Sequence, residues 1–346
     1  MAVHSKPDGW RLLAIGVLSA LLVMSVDARQ ERGQKPTPQD EEPVKLHTTL
    51  VQVPVVVSER GGRYVSDLNR DEFAIFEDGI RQNLELFGSV EEPFSAALLL
   101  DSSGSTEAAL EQIKSAALAF IGNLRPQDRV MVVSFNDSVE VLSELTSNTA
   151  KLAAAVRSIK AGQFTQVYEA VYTAVWERMR EIPGRKAVIV FTDGIDTASS
   201  EISEEDTLDA VIESEDIIVY PIRYATRQDV EQKMEARLRT SISSNGAGAV
   251  NEKLEQSRRE LDRAYRGADE YLEQLAEMSG GVLERADRLG DLKTALRKIA
   301  EELRHQYLLG YYPTNRQKDD RSRKISVRVT RPGLLVRARP AYRLAQ

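Results

Sequence analysis

Cysteine is absent from the whole sequence. That excludes disulfides, thiolate nucleophiles and sulfur metal sites together, so stability has to come from the core. Histidine is scarce: His4, His47 and His305 are the three in 346 residues. No H-E-x-x-H occurs, which excludes that type of zinc hydrolase, and no G-x-S-x-G elbow supports a serine hydrolase. His305 falls between a helical and a strand-like pattern and is expected as a packed junction residue, not a base. An excess of positive charge is missing as well. Forty-six Lys and Arg stand against 53 Asp and Glu, a net charge of -7, and an acidic chain repels phosphate backbones. Nucleic acid is therefore not an expected partner.

What is present is material for a core, with 42% hydrophobic residues. Residues 1–28 read as a secretory signal: Lys6 and Arg11 supply positive charge, residues 12–26 (LLAIGVLSALLVMSV) an apolar run, and Val26-Asp27-Ala28 a small-residue cleavage pattern. The run is short for a membrane span, although an uncleaved N-terminal anchor is the alternative. Export to the periplasm or the extracellular space is the expectation, with no membrane contact beyond this segment. Residues 29–44 (RQERGQKPTPQDEEPV) are polar and proline-rich, which suits a flexible linker.

From residue 45 the pattern is β. Residues 50–57 (LVQVPVVV) read as a strand, with Pro54 indicating an edge or a bulge. Residues 73–76 and 82–87 read as a strand and its return, joined at Asp78-Gly79. The pattern changes near residue 92. Apolar runs at 95–100 (SAALLL), 130–135, 186–191 (KAVIVF) and 216–222 (DIIVYPI) alternate with helical stretches at 107–124, 151–159, after Thr165 and at 204–214. Strands without a polar face, separated by helices, predict a parallel sheet covered on both sides.

Residues 227–266 interrupt the rhythm as two charged, antiparallel helices broken at Ser243-Ser244-Asn245-Gly246. In the second, Val250, Leu254, Leu261, Ala264, Ala268, Tyr271 and Leu275 form a near-heptad stripe. This insertion is expected to emerge on the ligand side and to help select a partner; an ordinary solvated hairpin is the competing reading. A short strand after Gly280-Gly281 and a helix over 289–304 complete this part. Residues 307–312, 324–329 and 334–338 then read as three more strands. The organisation expected is residues 45–91 and 305–346 as two halves of one β-sandwich, with an α/β domain, 92–304, inserted between them. Two separate sheets would each be too small to be stable.

Asp101-Ser102-Ser103-Gly104-Ser105 follows the first buried strand, Thr165 opens a helix, and Asp193-Gly194 follows another buried strand. In doubly wound sheets, ligands bind at the carboxyl ends of strands. Hydroxyl and carboxylate oxygens suit a hard cation: Mg²⁺ first, then Mn²⁺ or Ca²⁺, but not Zn²⁺. A purely local role stays open, with Ser103 or Ser105 as helix cap and Asp193-Gly194 as a turn.

The run Leu98-Leu99-Leu100 into Asp101-Ser102-Ser103-Gly104-Ser105, then Thr165, then Val190-Phe191-Thr192-Asp193-Gly194, resembles the metal-ion-dependent adhesion site of von Willebrand factor A-like domains. Asp71-Glu72-Phe73, Phe76-Glu77-Asp78-Gly79 and residues 306–313 (QYLLGYYP) resemble the flanks of bacterial exported members. The resemblance implies a doubly wound, mostly parallel sheet with one antiparallel edge strand. It implies Asp101, Ser103, Ser105, Thr165 and Asp193 as ligands of one divalent cation, direct or through water. Ser102, Gly104, Phe164 and Gly194 would form the ligand-binding rim. It further implies a non-enzymatic module that captures an Asp or Glu of a protein partner. Gly162-Gln163-Phe164 departs from the glycine-rich loop of many members, which leaves Thr165 the weakest of the five. A structural subunit without metal-dependent binding is the second reading. A phosphoryl-transfer hydrolase is the remote one, since Ser103 stands where that chemistry needs an acid.

Overall fold

The computed structural model describes residues 50–88, 92–241, 247–315, 317 and 320–344. The signal at 1–28, the linker at 29–44, the first residues of the sandwich and the break at Ser243-Ser244-Asn245-Gly246 lie outside the described residues.

Strand β1 (Val51–Glu59) leads to β2 (Phe73–Glu77) and a hairpin in which Asp78 and Gly79 both take positive φ, 48° and 83°. Two positive φ values give the turn whose twist matches the flanking strands. The return leg differs from the single strand read at 82–87. It is two strands, β3 (Ile80–Gln82) and β4 (Leu84–Gly88), and they belong to different sheets. The chain crosses at Asn83 because two facing sheets share one core and some strand must turn the corner between them.

The central unit begins with β5 (Phe94–Asp101), α1 (Leu110–Ile121), β6 (Arg129–Phe135), β7 (Val139–Thr146), α2 (Thr149–Ser158) and α3 (Val167–Tyr172). It continues with β8 (Arg185–Thr192), α4 (Glu204–Glu213), β9 (Ile217–Tyr224), α5 (Arg227–Ser241), α6 (Ala247–Ser279), β10 (Glu284–Ala286) and α7 (Leu292–Arg304). Its six strands run β10-β9-β8-β5-β6-β7, and only β7 is antiparallel. β7 did not stand out in the sequence because Glu140 and Glu144 interrupt its apolar positions, as suits an exposed edge. β5 is buried along its whole length: Ala96, Leu98 and Leu100 pack with α1, α2 and α7, while Ala97 and Leu99 pack with α3, α4 and α6. That double burial is why the strand reads as an unbroken apolar run.

α6 is 33 residues long, roughly 50 Å of helix. Its second half lies on the sheet through Tyr271, Leu272 and Leu275. Its first half packs against α5. Within the described part of the stripe, Ala264 is exposed and Tyr265 is buried in its place. No described helix is long and apolar enough to cross a membrane.

β11 (Gln306–Tyr311), β12 (Arg323–Val329), β13 (Leu334–Ala338) and β14 (Ala341–Tyr342) complete two antiparallel sheets, β13-β1-β11-β4 and β14-β12-β2-β3. Val51, Val53 and Val55 of β1, Phe73 and Ile75 of β2, Tyr307 and Leu309 of β11, and Ile325 of β12 share one core. β1 is an interior strand, contrary to the edge position that Pro54 suggested. The proline is tolerated because β13 pairs only Val55–Glu59, so Pro54 has a partner strand on one side alone.

Buried arginines join sandwich and sheet. Arg339 donates to the carbonyls of Val211, Ile212 and Ser214 at the end of α4. Arg185 donates to the carbonyls of Leu303 and Gln306, where α7 turns into β11. His305, in that junction, stacks on Tyr64 with ring centroids 5.2 Å apart.

Candidate metal centre

β5 has β6 on one side and β8 on the other, so the chain order reverses there. Loops after strands diverge at such a point and leave a crevice at the carboxyl ends. Asp101 is the last residue of β5, and Asp193 directly follows β8.

Asp101 is fully buried. Its Oδ1 accepts the Ser103 N–H at 2.9 Å, and its Oδ2 accepts the Thr192 hydroxyl at 2.7 Å. The Ser103 and Ser105 hydroxyls lie 3.1 Å apart. Neither caps a helix. The N-cap of the 3₁₀ turn before α1 is Thr106 and that of α1 is Ala109, and neither start carries a side-chain cap. Asp193 lies beside the Ser105 hydroxyl, which favours its charged form, while its Oδ2 accepts the Thr226 hydroxyl at 2.6 Å. Its Oδ1 accepts the Ile195 N–H at 3.2 Å, so Asp193 also serves the turn that precedes α4. Asp101, Ser103 and Ser105 are thus linked by hydrogen bonds, and Asp193 stands close enough for its charge to act on Asp101.

Thr165 is buried on the adjoining loop. The loop docks through its backbone: Gly162 N–H donates to the Ser102 carbonyl at 2.7 Å, and a Cβ on Gly104 would stand 3.1 Å from the Gln163 carbonyl. Among the described contacts, no hydrogen bond joins the Thr165 hydroxyl to the other four side chains. Asp137 fixes the loop by accepting Gln163 and Phe164 N–H, at 3.1 and 2.7 Å. Asp196 accepts the Val167 and Tyr168 N–H at the start of α3. Phe164, on the same loop, is left 54% exposed. Ser102 is turned aside: its hydroxyl accepts from Asn136 at 3.0 Å. Gly194, with φ 83°, sits under α6, where a Cβ would meet Leu272 Cδ1 at 2.8 Å. It is covered by that helix, so it does not offer an open rim surface.

Burial pushes the Asp101 carboxyl well above its usual range, and the charge of Asp193 pushes it further. Burial raises Asp193 as well, against the hydrogen bond from Thr226, the nearby Ser105 hydroxyl and the attraction of Arg223. Tyr224 reaches the same spot. Its hydroxyl is buried without a hydrogen bond of normal geometry; Thr106 stands near it, and both acids act on it.

The donor chemistry fits a hard cation. Two buried carboxylates repel each other in a low dielectric, and a divalent ion between them would remove that repulsion. Among the described residues, no three His, Cys, Asp or Glu side chains gather anywhere, so the donors here are two carboxylates completed by hydroxyls. Such a set suits Mg²⁺ or Mn²⁺ better than Zn²⁺.

Thr192, Tyr224, Thr226 and Tyr265 belong to the site and were not assigned from sequence. Thr192 adjoins Asp193 and was within reach of a motif reading. The other three reach the crevice only through the placement of β9 and α6.

Residues 96–195 match the family model of the von Willebrand factor type A domain. An uncharacterized protein, sll0103, of Synechocystis sp. is 32% identical over 106 residues, covering 30% of this chain and 25% of that one. This chain thus spans about a quarter of the length of the curated relative it matches. A von Willebrand factor type A structure from Catenulispora acidiphila is similar with a TM-score of 0.45 at 11% identity, over 80% of this chain and 74% of that one. The vWF domain of the type V pili tip protein Mfa5 from Porphyromonas gingivalis is similar with a TM-score of 0.42 at 12% identity, over 60% of this chain and 94% of that one. The alternating strands and helices of residues 96–195 and the reversal of order at β5 agree with the family match: residues 96–195 of this chain are similar to the von Willebrand factor type A domain.

Proposed function

We propose that this protein is an exported, non-enzymatic binding module that holds one divalent cation and captures a carboxylate of a protein partner. The observation that carries this reading is the convergence of Asp101 and Asp193, two buried acids with the Ser103 and Ser105 hydroxyls beside them, at the crevice between β5 and β8. Asp101, Ser103, Ser105 and Asp193 would hold the ion, with Thr165 beside them on the loop after Gly162. Mg²⁺ is the favoured ion. Bound there, it supplies positive charge that attracts a carboxylate from another molecule. Ser103 and Ser105 are turned toward this centre and away from helix capping, Asp101 is held by Thr192 and Ser103, and Asp193 by Thr226 and Ile195. Phe164 offers an apolar contact on the rim. Export rests on the composition of residues 1–28.

Calorimetric titration with Mg²⁺ and Mn²⁺ tests the reading, with Asp101→Ala as control. Saturable binding by wild type and none by the variant is expected. A wild type that takes up neither ion would leave a metal-free structural subunit. Pull-downs from envelope and extracellular fractions, with and without chelator, then test the partner class.

A further inference from the structure

The hairpin of α5 and the first half of α6 is wired into the metal centre. Thr226, two residues beyond β9, donates its single hydroxyl proton to Asp193 Oδ2 at 2.6 Å. The Tyr265 hydroxyl of α6 lies 2.7 Å from Thr226 Oγ1, and with that proton committed, Tyr265 is the donor. Tyr265, Thr226 and Asp193 thus form a strut from hairpin to site. On the other flank, Lys233 of α5 donates to the Gly104 carbonyl at 3.2 Å, over the Ser103–Ser105 loop. The hairpin therefore stands as a wall along the crevice.

The charges on that wall are not evenly neutralised. Glu231 and Asp262 are tied to Arg227, and Glu235 to Arg239 and Arg258. Lys233 has only Glu107, at 3.9 Å, and is about half exposed. Arg237, one turn further on the same face, is exposed and makes no ion pair among the described residues. Two cations roughly 6 Å apart along the helix axis thus lead away from the metal loop.

We propose that this hairpin selects the partner, and that Lys233 and Arg237 read a second carboxylate of an acidic segment whose first carboxylate goes to the metal. The proposal rests on the metal-binding reading above. The occupant it commits to is an extended acidic peptide, because a cationic stripe continuing from a carboxylate-binding centre is complementary to a run of acids. Lys233 releases the Gly104 carbonyl when such a segment docks.

The test is selection from a random-peptide display library in Mg²⁺, with elution by chelator. Wild type is expected to enrich peptides with two spaced acids. Lys233→Gln with Arg237→Gln should enrich peptides with one acid and bind the two-acid peptides about tenfold more weakly. Lys233→Glu with Arg237→Glu should replace the second acid by Lys or Arg. Mg²⁺ titration of Arg237→Gln alone should match wild type, since Arg237 touches neither the metal loop nor its ligands, and the Gln pair should still take up Mg²⁺. Normal Mg²⁺ uptake with the same peptides enriched by wild type and the Gln pair, or with no second acid in either, overturns the hairpin's role and spares the metal site. Absence of Mg²⁺ uptake by wild type removes the site, and this inference with it.

Discussion

Thr192 donates its hydroxyl proton to Asp101 across the boundary between two parallel strands, at 2.7 Å. The same oxygen accepts the Gly194 N–H at 2.9 Å, so one side chain fixes the carboxylate of β5 and the turn after β8 together.

Thr192→Val keeps the shape and removes the hydroxyl. It leaves a buried carboxylate oxygen and a buried N–H without their partner. A loss of about 1–3 kcal/mol in unfolding free energy is expected, read by urea denaturation in the presence of chelator. A value indistinguishable from wild type would mean that Thr192 is dispensable to the site.

Asp101→Asn separates metal binding from fold. Without metal, Asp101 and Asp193 are two buried acids that burial and mutual repulsion both disfavour in the charged form. The amide relieves this and still accepts the Ser103 N–H. In chelator the variant should therefore unfold at a higher temperature than wild type. Excess Mg²⁺ should reverse the order: at a hundredfold excess over its dissociation constant it stabilises wild type by about 2.7 kcal/mol and the variant hardly at all. Equal responses of the two proteins to Mg²⁺ would contradict the assignment.

Gly194→Ala brings two costs. The residue has φ 83°, which costs a residue with a Cβ roughly 1–2 kcal/mol, and the new methyl meets Leu272 Cδ1. α6 has to shift, so faster amide exchange in its second half should accompany the loss of stability. Exchange unchanged in α6 would show that the turn yields instead.

Arg339→Ala probes the join between sandwich and sheet. It strips the guanidinium from the carbonyls of Val211, Ile212 and Ser214 and leaves them buried. A loss on the order of 3 kcal/mol is expected in denaturant. The sandwich, followed through amide exchange in β1 and β11, should part from the α/β unit, followed through Trp176. Coincident transitions would mean that Arg185 and the Glu302–Arg337 ion pair suffice to hold the units together.

The amino-acid sequence determined by itself what depends on local periodicity and on chemistry adjacent in the chain. The apolar run at 95–100 fixed a strand buried on both faces, Asp78-Gly79 fixed a hairpin, and Asp101-x-Ser-x-Ser at a strand end fixed where oxygen donors stand. These follow from the alternation of side chains along a strand and from turn chemistry, which act over a few residues. Only the tertiary structure decided that the return strand splits at Asn83, because pairing with β2 or with β11 depends on which sheet lies opposite. It decided that β1 is interior despite Pro54, since the missing donor matters only where a second strand is present. It decided that Tyr265, not Ala264, faces the site, because one residue of phase on a long helix is set by what the helix packs against. And it brought Thr226 and Tyr265 to Asp193 from 33 residues and more away, a proximity that arises from the packing of β9 and α6 and leaves no pattern along the chain.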